Sequence, residues 1–453
     1  MYLCRREFLT GFSRLAAIPA SRLVGNGRKA DLWPTVFDDQ KHNDIGLNNL
    51  REQFPLLNER VEGRALIYLD SAATTQRPRA VLRALSDFYA HENANPARNL
   101  HSLARRSAAE YDKARDRLAR FINAPGPEEI VFTRGTTEAI NLVAYSWGGA
   151  NLRARDEILV TVAEHYSNLV PWQLAAQRAN ASLRILDIED DGRLRLNQLE
   201  TLLSERTKLV ALAHVSNVLG LVNPVRQICE RAHRAGALVL VDGAQSIPHF
   251  PIDVQELGCD FFAFSGHKMF GPMGIGVLWA RRGILEKMPP FQAGSNMLHD
   301  VDLASASFHF ADAALKFEAG TPNVPGAVGL AAAMEFIDTL GRKALWEREQ
   351  ELTRYALPRF EGVKGLRILG PTQAKERISL FSFVLENREP LDIVKALNIA
   401  GIAVRGGDLA SRPLLKRLGL SLAVRASCYA YTSFEEIDRL VAALQRIVRG
   451  SSA

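Results

Sequence analysis

From about Asn48 onward, short apolar runs alternate with stretches of helical periodicity, and this alternation limits the chain to a narrow set of folds. "EEIVFT", "DEILVTVAEH", "TKLVALAHVSN", "GALVLVDGAQ", "CDFFAFSGHK" and "IGVLWA" read as strands. Between them, "TEAINLVAYSW", "LVPWQLAAQRA" and "VRQICERAHRAG" place apolar residues three and four apart, as a helix packed on one face does. Strand and helix in turn predict βαβ units and a mostly parallel sheet. After "FEAGTPN" the pattern changes. Two helical stretches run from about Gly326 to Phe360, then come strand-like "RISLFSFVL", a helix near "LDIVKALNIA", strand-like "LAVRASCYAY" and a closing helix from Phe434. The expectation is an α/β large domain over residues 47–330 and a smaller α+β C-terminal domain over 331–453, with a ligand cleft between them.

A chain of 453 residues exceeds what one hydrophobic core usually supports, which agrees with two domains. With 47% hydrophobic and 23% charged residues it falls among globular proteins, and no run approaches the roughly 20 apolar residues of a spanning helix. The net charge of +6 is scattered among acidic residues without aromatic interleaving, which argues against a nucleic-acid surface. Cys4, Cys229, Cys259 and Cys428 form no CxxC pair, so neither a zinc site nor a disulfide framework is expected. Residues 1–46 read as an extension outside the fold. Within it "RREFL" presents the Arg5–Arg6 pair of a twin-arginine export signal, but Arg14 interrupts the apolar segment that follows. A basic or disordered extension on a cytoplasmic protein is therefore preferred, with periplasmic export as the alternative.

Three segments carry chemistry at positions where open α/β sheets bind ligands, beyond the carboxyl ends of the strands. In "VFTRGTTEAIN" a strand turns tightly at Gly135 into a helix, so that Thr136 and Thr137 offer hydroxyls and N–H groups to an anion, or simply cap the helix. In "VLVDGAQS" Asp242 ends a strand and Gln245 follows; the carboxylate could bind a metal, cap a helix or hold a cationic ring nitrogen. No second ligand stands at metal spacing beside it. In "FFAFSGHKMFGPMGIGV" Lys268 follows a strand directly, in a crowded position where its amine could lose its proton and form a Schiff base, with Ser265 and His267 beside it as phosphate-binding candidates.

Together with "YLDSAATTQRP", "RNLHSLARR", "EHYSNLVPWQ", "HVSNVLG" and "FEAGTPN", these segments resemble, in order, the fold-type I pyridoxal-phosphate enzymes of the class V aminotransferase family. Within that family the Suf-type cysteine desulfurases and selenocysteine lyases are most similar. The resemblance implies a seven-stranded, mostly parallel sheet in the large domain and pyridoxal 5'-phosphate as cofactor. It assigns Lys268 as the Schiff-base lysine and later acid-base group, Asp242 as partner of the ring nitrogen, and His165 as the residue stacked on the ring. Gln245 and Asn217 would lie at the phenolic oxygen, with Asn217 also near substrate. Thr136, Thr137, Ser265 and His267 would hold the phosphate, and Thr321 would reach the phosphate of a neighbouring subunit, so a homodimer is implied. Arg425 would grip the carboxylate of an L-amino acid, with Arg405 also at the substrate.

One segment departs from that pattern. "VRGGDLASRP", from Val404 to Pro413, keeps Arg405, Gly407 and Pro413, but Asp408 and Leu409 stand where the desulfurases have histidines. Ala410 stands where they have the catalytic cysteine. Alanine offers no nucleophile, which puts the persulfide step, and sulfur hand-over to an acceptor protein, in question. The leading expectation is desulfurase-like or selenocysteine lyase-like C–S or C–Se cleavage without an enzyme persulfide. The alternatives are transamination or epimerisation on the same cofactor, or a non-catalytic cofactor-binding partner or cargo protein.

Overall fold

The computed structural model describes residues 47–96, 100–311 and 313–450. The N-terminal extension expected over 1–46, with Arg5 and Arg6, lies outside the described residues. Seven strands form the large sheet: β1 (Ile130–Thr133), β2 (Glu157–Thr161), β3 (Ser182–Leu186), β4 (Thr207–Ala213), β5 (Leu238–Asp242), β6 (Phe261–Ser265) and β7 (Gly276–Ala280). Their order is β1-β7-β6-β5-β4-β2-β3. β7 runs antiparallel to both its neighbours and the remaining pairs are parallel, so the mostly parallel seven-stranded sheet implied by the resemblance is present, with Ser182–Leu186 as the strand that the apolar runs did not mark.

Successive side chains of a strand point to opposite faces, and here both faces are dry except along the edge strand β3, where Ser182 and Ile185 are exposed. Phe262 and Phe264 join one buried cluster with Val239, Val241, Leu212 and Trp279, while Phe261 and Ala263 join another with Leu240, Ala211 and Leu278. This explains why the inner strands read as unbroken apolar runs, whereas the edge strand β3, with Ser182 and Arg184, does not. Five helices flank the sheet: α1 (Arg79–His91), α2 (Ser102–Phe121), α3 (Thr136–Asn151), α4 (Val170–Ala179) and α5 (Val225–Arg234). Ile140, Val143 and Trp147 of α3 with Trp172 and Ala175 of α4 cover one face, and Val81, Leu118 and Ile228 from α1, α2 and α5 cover the other. An exposed hairpin, β8 (Leu298–Asp302) with β9 (Ser307–Phe310), precedes α6 (Val324–Leu340), which packs on α1 and α2.

Gly341 separates α6 from α7 (Arg342–Glu361), with the two helix axes at 76°. A second sheet follows, built from β10 (Leu366–Ile368), β11 (Leu380–Leu385), β12 (Arg405–Gly407) and β13 (Ala423–Ser427) in the antiparallel order β10-β11-β13-β12. α7, α8 (Pro390–Ile399) and α9 (Phe434–Val448) bury Leu352, Phe360, Leu397 and Leu440 against Phe381, Phe383 and Val424 of this sheet. An early segment joins the same core: Ile67–Tyr68 pairs in parallel with Ile402–Ala403, and Asp70 bridges to Ser427. No single helix among the described residues is long and apolar enough to cross a membrane.

Candidate active site

β2, β4, β5 and β6 end side by side, because the parallel register sets Ala213 opposite Asp242 and Asp242 opposite Ala263. Between these ends and the β12–β13 edge of the second sheet lies a cavity of about 460 Å³. Lys268, His165, Asp242, Thr136, Thr137, Asn217, Gln245, Ser265, His267, Arg405 and Arg425 all line it. Thr321 does not. It is exposed near Asn95, whose side-chain nitrogen lies 3.4 Å from the Thr321 hydroxyl.

At the floor, burial pushes the Lys268 amine down to about 8; Arg425 adds to the shift and Asp242 opposes it. Burial likewise raises the Asp242 carboxyl above its ordinary value, against the Ala244 N–H at 2.9 Å and the Lys268 charge, which both favour the carboxylate. His165 is held down to about 4, first by burial and then by Lys268 and Arg425, so its ring is neutral at pH 7. Its Nδ1 accepts from the Ser167 N–H at 3.1 Å. Beneath it Glu164 is fully buried, its carboxyl pushed up to about 8 by desolvation, and bonded to the Thr161 hydroxyl, the Asn168 amide and the Ala213 N–H.

One end of the cavity is shaped for an anion. Ser265 Oγ accepts from the Thr136 N–H at 2.8 Å and lies 2.7 Å from the Thr136 hydroxyl, which fastens the end of β6 to the first turn of α3. Thr137 Oγ1 lies 2.7 Å from Ser167 Oγ at the same helix N-terminus. Such a terminus presents unpaired N–H groups and favours negative charge. The backbones approach closely here because residue 276 is glycine: a Cβ on it would stand 2.3 Å from the Gly135 Cα.

The roof is the "VRGGDLASRP" loop, and the large sheet holds it down. Asp408 Oδ2 accepts from the Tyr166 hydroxyl at 2.8 Å, Asp408 Oδ1 from the Ala410 N–H at 3.0 Å, and the Ala410 carbonyl from the Tyr166 N–H at 2.8 Å. Asn217 donates to the Leu409 carbonyl at 2.8 Å and accepts from the Ser411 hydroxyl at 3.2 Å. Thus the Asn217 amide, expected beside the phenolic oxygen and substrate, lines the cavity with its polar groups engaged by the loop. Leu409 and Ala410 both adopt left-handed backbone, with φ of 52° and 53°. Ala410 lines the cavity, whereas Cys229, Cys259 and Cys428 are buried elsewhere. Burial holds the Cys428 thiol well above its usual range.

On the β12–β13 edge, Arg405 and Arg425 are direct cross-strand partners. Arg425 is 4% exposed, and burial pushes its guanidinium down to about 10, with Arg405 adding to the shift and Asp70 opposing it. Sequence reasoning missed Tyr166, Glu164 and Asp70. Each stands inside a quoted segment, but nothing local marks Tyr166 or Asp70 as a partner of residues more than two hundred positions away, and the partners of Glu164 meet it only where β2 and β4 lie side by side.

Residues 67–440 match the aminotransferase class-V family. A probable cysteine desulfurase of Mycolicibacterium paratuberculosis is 49% identical over 94% of the chain, which spans 61% of that relative's length. A probable cysteine desulfurase of Halalkalibacterium halodurans is 47% identical over 89% of this chain and 98% of its own. Among solved structures, the cysteine desulfurase CsdA of Escherichia coli superposes with a TM-score of 0.82 at 38% identity, over 90% of this chain and 99% of that one. The apo cysteine desulfurase of Thermococcus onnurineus gives 0.84 at 35% identity, over 89% and 98%.

Proteins of this family depend on pyridoxal 5'-phosphate, and the polar atoms of the cavity fit that group. Gln245 Oε1, His267 Nδ1 and Arg425 Nε are buried there without hydrogen-bond partners, although buried polar atoms are nearly always paired. A buried amine, a buried carboxylate, a neutral imidazole and a helix N-terminus suit in turn an aldehyde, a ring nitrogen, an aromatic face and a phosphate. On the match across residues 67–440 and this agreement of site and cofactor, the chain belongs to the aminotransferase class-V family of pyridoxal-phosphate proteins.

Proposed function

We propose that this protein is a pyridoxal-phosphate enzyme that cleaves the bond from Cβ to sulfur or selenium in an L-amino acid and releases the chalcogen without a persulfide on the enzyme. One observation carries the reading: the cavity holds Lys268, Asp242 and Arg425 together, while the residue in the roof loop is Ala410 and no described cysteine lines the site.

Pyridoxal phosphate, when bound, supplies an electron sink for the substrate Cα. Asp242 would keep a proton on the cofactor's ring nitrogen, and a cation there would offset the desolvation that otherwise raises its own carboxyl. Neutral His165, which lines the cavity, would offer the ring an uncharged face. Thr136, Thr137, Ser265 and His267 receive the phosphate, and Gln245 has a free acceptor for the phenolic group. Arg425 binds the substrate carboxylate, for which a rigid fork of donors is better suited than a lysine. Lys268, with an amine near 8, is partly unprotonated at neutral pH and takes the Cα proton. With the cofactor bound and that proton removed, the Cβ–chalcogen bond would break with the chalcogen leaving as hydrosulfide or hydroselenide, and hydrolysis would release the three carbons as pyruvate and the amino nitrogen as ammonia. Thr321, exposed and not among the residues that line its own cavity, is accessible to a second subunit, and we propose that the enzyme is a homodimer.

The test is the product balance. Purified holoenzyme is given L-cysteine or L-selenocysteine, and sulfide, selenide, pyruvate and alanine are counted. Pyruvate equal to the chalcogen released is expected, and loss of both in Lys268→Ala. Alanine formed together with persulfide on a cysteine of the chain would overturn the reading.

A further inference from the structure

Two arginines stand directly opposite each other on β12 and β13, an arrangement that is unfavourable without a counter-charge. The structure supplies one from a third segment. Tyr68 pairs with Ala403 and Asp70 bridges to Ser427, so the two registers carry Asp70 to the place where Arg405 and Arg425 meet. Its Oδ2 lies 2.7 Å from Arg405 Nη2, and its Oδ1 lies 3.5 Å from Arg425 Nη2. The contact with Arg405 is a close ion pair, while that with Arg425 is at the limit of a hydrogen bond. Arg425 gives Nη1 to the Asn217 carbonyl at 3.0 Å and keeps Nε buried and unpaired. Both arginines line the cavity, and Asp70 does not.

We propose that Asp70 is a positioning residue that sets specificity: it occupies Arg405 and leaves a single guanidinium, Arg425, to receive a single carboxylate. Two cations against one carboxylate leave one net positive charge at this edge, which matches an amino acid with one carboxylate and an uncharged side chain. A second acidic group on the substrate would find Arg405 already engaged, and Asp408, which also lines the cavity, would repel it. With Asp70 neutral, Arg405 is released and the edge carries two unpaired cations, which suits a dicarboxylate. The inference rests on the reading of Arg425 as the carboxylate-binding residue.

The experiment titrates the cofactor absorbance of holoenzyme with L-alanine, L-aspartate and L-alaninamide. The wild type is expected to bind alanine more tightly than aspartate, and Asp70→Asn to move the ratio at least tenfold toward aspartate. A ratio within twofold of wild type, in a variant that melts and holds its cofactor normally, overturns the proposal. Should Asp70→Asn fail to fold, Arg405→Gln gives the converse: the Asp70 charge then bears on Arg425 alone, and alanine and aspartate are both expected to weaken about tenfold. Unchanged alanine affinity there also overturns it. Arg425→Lys separates the two levels. If that variant still prefers alanine to alaninamide as strongly as wild type does, the reading of Arg425 fails; if the preference is lost but the Asp70→Asn ratio is flat, the role of Asp70 alone fails.

Discussion

Asp408→Asn is expected to loosen the roof of the site by an amount the structure sets. Two consecutive residues, Leu409 and Ala410, are held in left-handed backbone that non-glycine residues adopt at roughly 1–2 kcal/mol each. The opposing force is the set of pins from Tyr166, Asn217 and Asp408. The Asp408 carboxylate receives the Tyr166 hydroxyl and the Ala410 N–H, and Arg412 stands 3.5 Å away. Hydrogen bonds to a charged group are worth roughly 1.5–3 kcal/mol each, and partial exposure of Asp408 puts these at the low end. An amide keeps the geometry but loses the charge and one acceptor, so about 1.5 kcal/mol of closure is lost, roughly a tenfold rise in the open population. The assay is hydrogen exchange read by mass spectrometry on a peptide spanning Val404 to Leu415. About tenfold faster exchange is expected there, with no change in α2 or β5. Tyr166→Phe, which removes one bond, should act in the same direction by less. Wild-type exchange in both variants would refute the idea that these contacts hold the loop.

Three further outcomes follow from the packing around the site. His214 is fully buried with Nδ1 unpaired, and burial holds it down to about 4, below the ordinary 6.5. The unfolded chain therefore takes up a proton that the folded chain refuses, and the stabilisation is complete above about pH 6.5 and lost as pH falls toward 4, on the order of 3 kcal/mol. Urea unfolding at pH 7.5 and 4.5 should show a smaller acid loss in His214→Gln than in wild type, and equal losses would contradict this. Gly276→Ala would drive a Cβ into the Gly135 backbone, so a destabilisation of about 1–3 kcal/mol is expected with a lower Tm and weaker cofactor retention; an unchanged melt would count against it. Glu318 makes a bidentate, buried pair with Arg115 at 2.7 Å to both nitrogens, and Glu318→Gln should destabilise by about 3–5 kcal/mol, measured by the same unfolding assay.

Most strands of the large sheet and the polar residues Lys268, Asp242, Ser265 and Thr136 at its strand ends were legible because they depend on local pattern: an apolar run, then a polar residue where it ends; the order of the strands was not. Partners across the fold were not. Asp408 and Tyr166 are 242 residues apart, and Arg405 and Asp70 are 335 apart. Their meeting depends on which edges of two sheets face each other, a matter of packing that no periodicity records. The Asn217 amide shows the same limit. Its segment announced a polar residue at a strand end, but its engagement by the Leu409 carbonyl became visible only once the roof loop lay over it.

The strand pairing of Ile67–Tyr68 with Ile402–Ala403, and of Asp70 with Ser427, has a consequence during synthesis. Every residue of the cavity floor has been made once the ribosome has passed β7, but the arginine edge requires an early segment to wait for residues made almost at the end. A nascent or truncated chain lacking β13 carries every residue of the floor but lacks Arg425, the guanidinium to which we assign the amino acid's acid end.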